Sequence, residues 1–237
     1  MMGRVVASAL TVSPVEPQRV YVGMEIQGVA QGELGLWTSG NGGMTWERSG
    51  LPSKLSVEGI AAVPGTVGIL YAVAYPGFDS ATPGLWRSVN GGKTWNRVSG
   101  LPGPVYSVAA PTSTEVLVGG AGRVWRSSNA GRTFTPLPLG VPLWSASSAA
   151  PGGLPVDAVL RAEDGTLFAA TRLGVARSRD AGRNWQVVSE PVGDPPVQPG
   201  GLHLLTDGSV AVTTQFGTFT YRAPRPGSPM TVCGFGT

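Results

Sequence analysis

Short apolar segments, each about four to eight residues long, recur along the whole chain between glycine, proline, asparagine and serine. Examples are VVASALTV at 5–12, SVEGIAAV at 56–63, ILYAVAY at 69–75 and TLFAATR at 166–172. Segments of this length that are rich in β-branched residues and bounded by turn-forming residues are typical of strands rather than helices. The pattern therefore predicts an all-β chain.

The turns between these strands share an eight-residue pattern, which SVNGGKTW at 88–95 represents most clearly. Imperfect copies are SGNGGMTW at 39–46, SSNAGRTF at 127–134 and SRDAGRNW at 178–185. In each copy a short polar side chain can bond to nearby backbone amides, and glycine supplies positive φ angles that other residues resist. Strand-like segments flank every copy, so each is predicted to be a tight hairpin sealed by its final aromatic residue.

The four copies resemble the Asp-box, or BNR repeat, whose consensus is Ser-x-Asp-x-Gly-x-Thr-Trp. The resemblance implies a repeat protein with the β-propeller fold of sialidases, xyloglucanases, the luminal domain of sortilin and photosystem II assembly factors. In that fold the boxes are structural hairpins. Three copies have asparagine where the family usually has aspartate, which disfavours calcium binding by the loops. The box residues are Ser39, Asn41, Gly43, Trp46, Ser88, Asn90, Gly92, Trp95, Ser127, Asn129, Gly131, Phe134, Ser178, Asp180, Gly182 and Trp185.

The box serines follow one another at intervals of 49, 39 and 51 residues, close to the roughly 40 to 50 residues of a four-stranded propeller blade. We therefore predict an all-β, five-bladed β-propeller of four-stranded antiparallel blades, with Asp-box hairpins in blades one to four. It would form a single domain over 1–237, with blades at approximately 3–50, 51–100, 101–140, 153–192 and 199–237. The structural alternative is a fragment of a larger propeller, or a propeller completed by a partner's blades.

Composition narrows the function classes. The hydrophobic fraction is 41%, so the 36 glycines and 21 prolines indicate turns rather than disorder. The net charge of +3 comes from scattered arginines. Because no basic stripe is interleaved with aromatic residues, a nucleic-acid partner is disfavoured. No window of about eighteen apolar residues exists, so we predict no membrane span.

Cys233 and His203 are the chain's single cysteine and single histidine. An intrachain disulfide is therefore ruled out, and a transition-metal site is disfavoured. We predict neither a metal nor a cofactor, and we expect a monomer. The opening segment MMGRVVASALTVS superficially suits a leader, but it repeats the strand-turn-strand plan of later segments and is interpreted as part of the fold. An extracellular or periplasmic location is favoured, because Asp-box proteins are often exported.

The resemblance also implies where a ligand would bind. In such propellers the loops that enter each first strand, and those that join the second strand to the third, meet over the central channel. The starts of the first strands, which follow the first set of loops, carry Glu58, Tyr106 and Asp157. The second set carries Glu25, Gln27, Asp79, Arg172 and Gln215. Several blades would thus contribute polar groups to one cavity mouth, as a ligand site requires.

The favoured function is a non-enzymatic propeller that binds a protein or other ligand on its channel face. Its candidate ligand-binding residues are Glu25, Tyr106, Trp144, Arg172 and Gln215. Trp144 is included because it lies in a connector, outside the repeat pattern that explains the other tryptophans.

Two alternatives involve carbohydrate. A glycoside hydrolase needs two carboxyl groups that flank the scissile bond, and Glu58, Asp157 and Asp79 are the candidates. A carbohydrate-binding module would instead stack a sugar ring on Trp144 and Phe78. The sialidase version of the enzyme is disfavoured, because the chain lacks the Arg-Ile-Pro motif that precedes the first box in that family.

Overall fold

The computed structural model describes residues 4–27, 34–52, 55–76, 84–140, 153–189, 199–205, 209–214, 217–221 and 232–234. Within these ranges the chain forms five four-stranded sheets, and in each sheet strands that are consecutive in sequence are hydrogen-bonded neighbours. The strand pairs of the first, second, fourth and fifth sheets are antiparallel. The predicted all-β chain of four-stranded sheets is confirmed.

The strands are numbered in chain order. The first sheet consists of β1 (Arg4–Val12), β2 (Val20–Gln27), β3 (Gly35–Ser39) and β4 (Glu47–Arg48). The second consists of β5 (Leu55–Ala62), β6 (Leu70–Pro76), β7 (Gly84–Ser88) and β8 (Asn96–Arg97). The third consists of β9 (Val105–Ala109), β10 (Val116–Gly120), β11 (Arg123–Ser127) and β12 (Thr135–Pro138). The fourth consists of β13 (Ala158–Arg161), β14 (Leu167–Thr171), β15 (Gly174–Ser178) and β16 (Gln186–Val187). The fifth consists of β17 (Pro199–Leu204), β18 (Val210–Thr214), β19 (Gly217–Tyr221) and β20 (Val232–Gly234).

The chain divides into two compact units. The first unit comprises Met1–Val116 and Arg126–Phe134, and the second comprises Leu117–Trp125 and Thr135–Thr237. Two inner strands, β10 and β14, are buried at every position. Burial on both faces explains why these strands are continuous apolar runs without alternation. By contrast, the outer strands β4, β8 and β16 have two residues each, which keeps the exposed edge short.

Each unit has an apolar core built from neighbouring sheets. A core cluster of the first unit contains Tyr21, Leu36, Leu51, Val57, Leu70, Ala72, Ala74 and Trp95. A core cluster of the second unit contains Ala158, Ala162, Phe168, Ala170, Val175, Leu202, Val210 and Val212.

The four hairpins that follow β3, β7, β11 and β15, here called the serine hairpins, are each organised by a buried serine. The Ser88 hydroxyl accepts the backbone N–H groups of Gly92 at 2.9 Å and Asn90 at 3.3 Å, and it donates to Asn90 Oδ1 at 3.0 Å. The other three serine hairpins make the same three bonds. Each serine, 1% exposed, thus satisfies two backbone donors that the tight turn would otherwise leave unpaired.

The residue two positions after each serine closes the turn by bonding to the residue four positions further on. Asn90 Oδ1 accepts the N–H of Thr94 at 2.9 Å, and Asn90 Nδ2 donates to Thr94 Oγ1 at 2.8 Å. In the fourth hairpin Asp180 accepts both the N–H of Asn184, at 2.9 Å, and its Nδ2, at 2.6 Å. Asparagine at this position can donate through its amide, and it is paired with a threonine hydroxyl that accepts. Aspartate can only accept, and it is paired with an asparagine amide that donates. The bonds from Asn184, reinforced by Ser178, lower the pKa of Asp180 to about 2.

Two adjacent residues in each serine hairpin have left-handed backbone geometry. In the second hairpin they are Gly91 and Gly92, with φ angles of 72° and 86°. The third and fourth hairpins have alanine at the first of these positions, Ala130 at 56° and Ala181 at 61°. Glycine therefore does not supply every positive φ angle. The serine hydrogen bonds hold alanine in a region that costs an L-residue about 1–2 kcal/mol.

The carbonyl oxygen of Gly92 joins the second hairpin to the first sheet. It accepts the N–H of Gly50 at 2.9 Å, the Ser49 hydroxyl at 2.9 Å and the Trp95 indole N–H at 3.0 Å. The same indole N–H lies 2.8 Å from the Ser49 Oγ. These contacts leave Trp95 9% exposed, whereas Trp46 at the equivalent position of the first hairpin is 41% exposed. The aromatic residue therefore seals its turn most fully where a neighbouring sheet supplies the serine.

We expect Gly92→Val to lower the free energy of unfolding by about 2 kcal/mol or more. The φ angle of 86° disfavours valine, and a Cβ atom would already lie 3.5 Å from Ser49 Oγ and 3.7 Å from Leu70 Cδ1, so the two methyl groups lack room. Lys93→Ala at the neighbouring exposed position should change stability by less than about 0.5 kcal/mol. Thermal or chemical denaturation measures both. Equal losses in the two variants would contradict this view of the hairpin.

Candidate functional site

The first strands of three sheets contain an extra residue that has no partner opposite it. The register of β1 with β2 shifts at Ser8, that of β5 with β6 at Glu58, and that of β17 with β18 at Gly200. Such a bulge bends the strand locally and redirects the side chain at that position. The bulge is thus an equivalent position in three sheets, and its chemical character depends on the side chain found there.

In the first sheet the bulge residue has a structural role. The Ser8 hydroxyl contacts the carbonyl oxygens of Gly23, 3.2 Å away, and Val57. Gly23 allows this close approach of the first and second sheets, because a Cβ atom there would lie 2.8 Å from Val57 Cγ1. Ser8 therefore joins two sheets of the first unit.

Glu58 occupies the bulge of the second sheet, and its side chain is exposed. Surrounding protein atoms nevertheless displace part of the water around its carboxyl group, and this desolvation raises the pKa of Glu58 to about 7. The negative charge of Glu25 adds to the rise, and a hydrogen bond with the Tyr75 hydroxyl opposes it. Glu58 is therefore divided between its charged and neutral forms near neutral pH.

Tyr75 links this carboxyl group to the third sheet. Its hydroxyl lies 2.5 Å from the carbonyl oxygen of Val105, the first residue of β9, and it is shared with the Glu58 carboxyl. Tyr106 follows directly and is half-buried. A carboxyl group that is anchored in this way can accept a hydrogen bond, donate one, or pair with a cation, according to the pH.

Glu58 and Glu25 were predicted from the sequence as candidate residues, but Tyr75 was not. Glu25 and Tyr75 occupy equivalent positions, because Glu25 pairs with the residue two before the bulge in β1, and Tyr75 pairs with the residue two before the bulge in β5. Aligning the repeats on their bulges would have revealed this. The expectation that Glu25 lies in a loop is wrong. It lies within β2, because β2 continues to pair with β1 as far as Gln27 opposite Arg4.

Two predicted residues belong to the second unit. Asp157 directly precedes β13, is half-buried, and donates its backbone N–H to the carbonyl oxygen of Ala170 at 2.9 Å. Arg172 is exposed in the short turn between β14 and β15, which is the kind of loop that the sequence predicts for it. Four other candidates lie outside the described residues: Phe78, Asp79, Trp144 and Gln215.

The described residues contain neither a cluster of metal ligands nor a membrane-spanning helix. No three histidine, cysteine, aspartate or glutamate side chains there could hold a metal ion together. No helix in these parts of the chain is long and apolar enough to cross a membrane. His203 is exposed on β17, and Cys233 lies on β20.

The sequence matches no protein-family model, and no curated protein matches it. Several solved structures are similar to this one. The structure of YCF48 from Cyanidioschyzon merolae superposes with a TM-score of 0.64 at 14% sequence identity, over 98% of this chain and 74% of that one. A structure of YCF48 bound to D1 peptide gives a TM-score of 0.59 at 13% identity, over 93% of this chain and 68% of that one.

An enzyme is also similar. The GH74 xyloglucanase from Xanthomonas campestris superposes with a TM-score of 0.65 at 17% identity, over 97% of this chain and 40% of the enzyme. This chain has a β-propeller fold. Its blades are the four-stranded antiparallel sheets described above. Identities this low show the fold, and the fold is shared by binding proteins and enzymes.

Ionisation of Glu58 is expected to destabilise the folded propeller as the pH rises. Its folded pKa of about 7 lies above the ordinary value of 4.5. Its contribution to the free energy of unfolding is therefore complete below about pH 4.5 and is lost as the pH rises through about 7. Between about pH 5 and about pH 8 the wild type should lose about 1 kcal/mol more stability than Glu58→Gln; water screening of this exposed side chain keeps the figure small.

Chemical denaturation at a series of pH values measures this difference. Glu47→Gln is the matched control, because Glu47 is an exposed glutamate on the outer strand β4, and its curve should follow that of the wild type. Parallel curves for the wild type and Glu58→Gln would contradict the environment assigned to Glu58.

Proposed function

We propose that the chain is a five-bladed β-propeller formed as one domain over 1–237, and that its serine hairpins are Asp-boxes. The number of four-stranded sheets supports the blade count. The recurrence of the same serine and asparagine or aspartate bonds in four hairpins supports the second point. The blade boundaries predicted from the sequence, and the gathering of the first strands around a shared channel, are part of this proposal.

The proposed function is ligand binding without catalysis, at the site formed by Glu58, Glu25 and Tyr75 in the first unit. The observation that carries it is the exposed Glu58 carboxyl, which projects from a strand bulge with its pKa raised to about 7 and is anchored by Tyr75. Bulges are often found beside functional sites because they redirect a side chain at little cost to the sheet. Because this carboxyl group is costly to ionise in the free protein, a cationic partner would stabilise its charged form.

The ligand proposed for this site is a protein segment with a lysine or arginine side chain. A cation placed beside Glu58 would stabilise its charged form and so offset its desolvation and its repulsion from Glu25, the two causes that raise its pKa. That a structure of YCF48 with a peptide bound is among the proteins of similar fold supports a peptide as the class of ligand.

Selection of short random peptides against the full chain at about pH 8 should enrich sequences that contain lysine or arginine. The affinity of an enriched peptide should rise about fivefold between about pH 6 and about pH 8, as Glu58 gains its charge. Glu58→Gln should remove this pH dependence, and Glu47→Gln should leave it unchanged. Isothermal titration calorimetry measures the affinities. Enrichment without cationic residues, or an unchanged pH dependence in Glu58→Gln, would overturn the proposed ligand.

One alternative has an observation in its favour. A carboxyl group with a pKa near 7 beside a second carboxylate suits the general acid of a glycoside hydrolase, in which the partner acts as base or nucleophile. A panel of fluorogenic glycosides tests this. Turnover that disappears in both Glu58→Gln and Glu25→Gln, while folding stays intact, would replace binding by hydrolysis. The roles proposed for Asp79, Asp157, Trp144 and Gln215 stay predictions.

A further inference from the structure

A cavity of about 210 Å³ lies in the second unit, beside the turn between β13 and β14. Its apolar wall includes Phe168, which is 5% exposed, and Leu204 of β17, which is 39% exposed. Arg177 of β15 and Arg179 of the fourth serine hairpin also line it. The cavity thus combines two cationic side chains with an apolar surface. Its residues are far along the chain from those of the proposed binding site.

The repeats explain why Arg177 is unusual. An arginine directly precedes the serine of three hairpins, as Arg87, Arg126 and Arg177. Arg87 Nε donates to the hydroxyl of Tyr71, its cross-strand partner, at 3.1 Å. Arg126 Nε lies 2.7 Å from Glu115 Oε1. In these two sheets, therefore, a side-chain oxygen lies within 3.1 Å of the arginine Nε.

In the fourth sheet the oxygen is missing. Arg177 pairs across the strands with Phe168, which occupies the position of Tyr71 but has no hydroxyl group. Within the described part of the chain, the Arg177 guanidinium makes no hydrogen bond and no ion pair. The side chain is half-buried. Burial and the like charge of Arg179 lower the pKa of Arg177, because both destabilise its positive charge. A bound anion would stabilise that charge.

The remaining polar groups of the cavity restrict the charge of that anion. Asp164 accepts the backbone N–H of Thr166 at 2.9 Å and its hydroxyl at 3.0 Å, and its negative charge also interacts with Arg179. Glu163 is exposed in the same turn. These two carboxylates would repel a dianion more strongly than a monoanion. The volume is below the roughly 300 Å³ at which pockets for drug-sized ligands begin, so the ligand must be small.

We propose that this cavity binds a small monocarboxylate with an apolar body. Its carboxylate would accept hydrogen bonds from Arg177 and Arg179, and its apolar part would lie against Phe168 and Leu204. The guanidinium group is suited to this role because its fork of N–H donors matches the two oxygens of a carboxylate.

Benzoate is the probe, and benzamide is its neutral counterpart of nearly the same shape. Titrations of the full chain, followed by NMR of the arginine side chains, should show benzoate binding at least about tenfold more tightly than benzamide. Inorganic phosphate should bind more weakly than benzoate. Arg177→Gln should weaken benzoate binding about tenfold. Equal affinity for benzoate and benzamide, phosphate binding as tight as benzoate, or full affinity in Arg177→Gln would overturn the proposal.

Two further variants separate this site from general attraction to arginine. Arg87→Gln is the matched control, because Arg87 precedes the equivalent serine and already bonds to Tyr71; benzoate affinity should stay the same. Phe168→Tyr should place a hydroxyl group beside Arg177, as Tyr71 does for Arg87, and weaken benzoate binding several-fold. An equal loss in Arg87→Gln, or no change in Phe168→Tyr, would contradict the role given to the missing hydroxyl group.

Discussion

A buried serine hydroxyl holds each of the first four outer hairpins in shape. It accepts two backbone N–H groups and donates to the side chain of the asparagine or aspartate two residues later. Because all three bonds are formed within eight residues, the turn is determined locally and can be repeated along the chain. The same turns then position donors and acceptors for the neighbouring sheet, as the Gly92 carbonyl oxygen does with Ser49 and Gly50. Hydrogen bonds from a local turn thereby also hold neighbouring sheets together.

Function in such a repeat depends on positions where equivalent residues differ. The bulge in the first strand has Ser8 in one sheet, where it joins two sheets, and Glu58 in the next, where it presents a carboxyl group. The position before the hairpin serine has Arg87 in one sheet, with a tyrosine hydroxyl beside it, and Arg177 in another, with phenylalanine. In both cases the scaffold stays constant, and one missing or added polar group distinguishes the position that we propose as a site.

The hairpins were predictable from the sequence because all their bonds are local, and serine, asparagine and glycine at fixed spacing imply them. The residues of the proposed site were predictable only in part. Glu58 was identified, but Glu25 was expected in a loop, since nothing in its own segment shows that β2 stays paired with β1 up to Gln27. Tyr75 and Arg177 were missed for a related reason. Their roles depend on which residue lies opposite across two strands. For Tyr75 that register includes the bulge at Glu58, and for Arg177 it is the pairing of β15 with β14 that places Phe168 opposite.

A carbon-13 NMR titration of the glutamate carboxyl groups, with Glu58→Gln to assign the signal, measures the ionisation of Glu58 itself. We predict a pKa of about 7 for Glu58. In Glu25→Gln we predict a lower pKa that stays above 4.5, because desolvation is the larger cause. A pKa near the ordinary 4.5 in the wild type would show that Glu58 is hydrated like a free side chain. The strand bulge would then form no site.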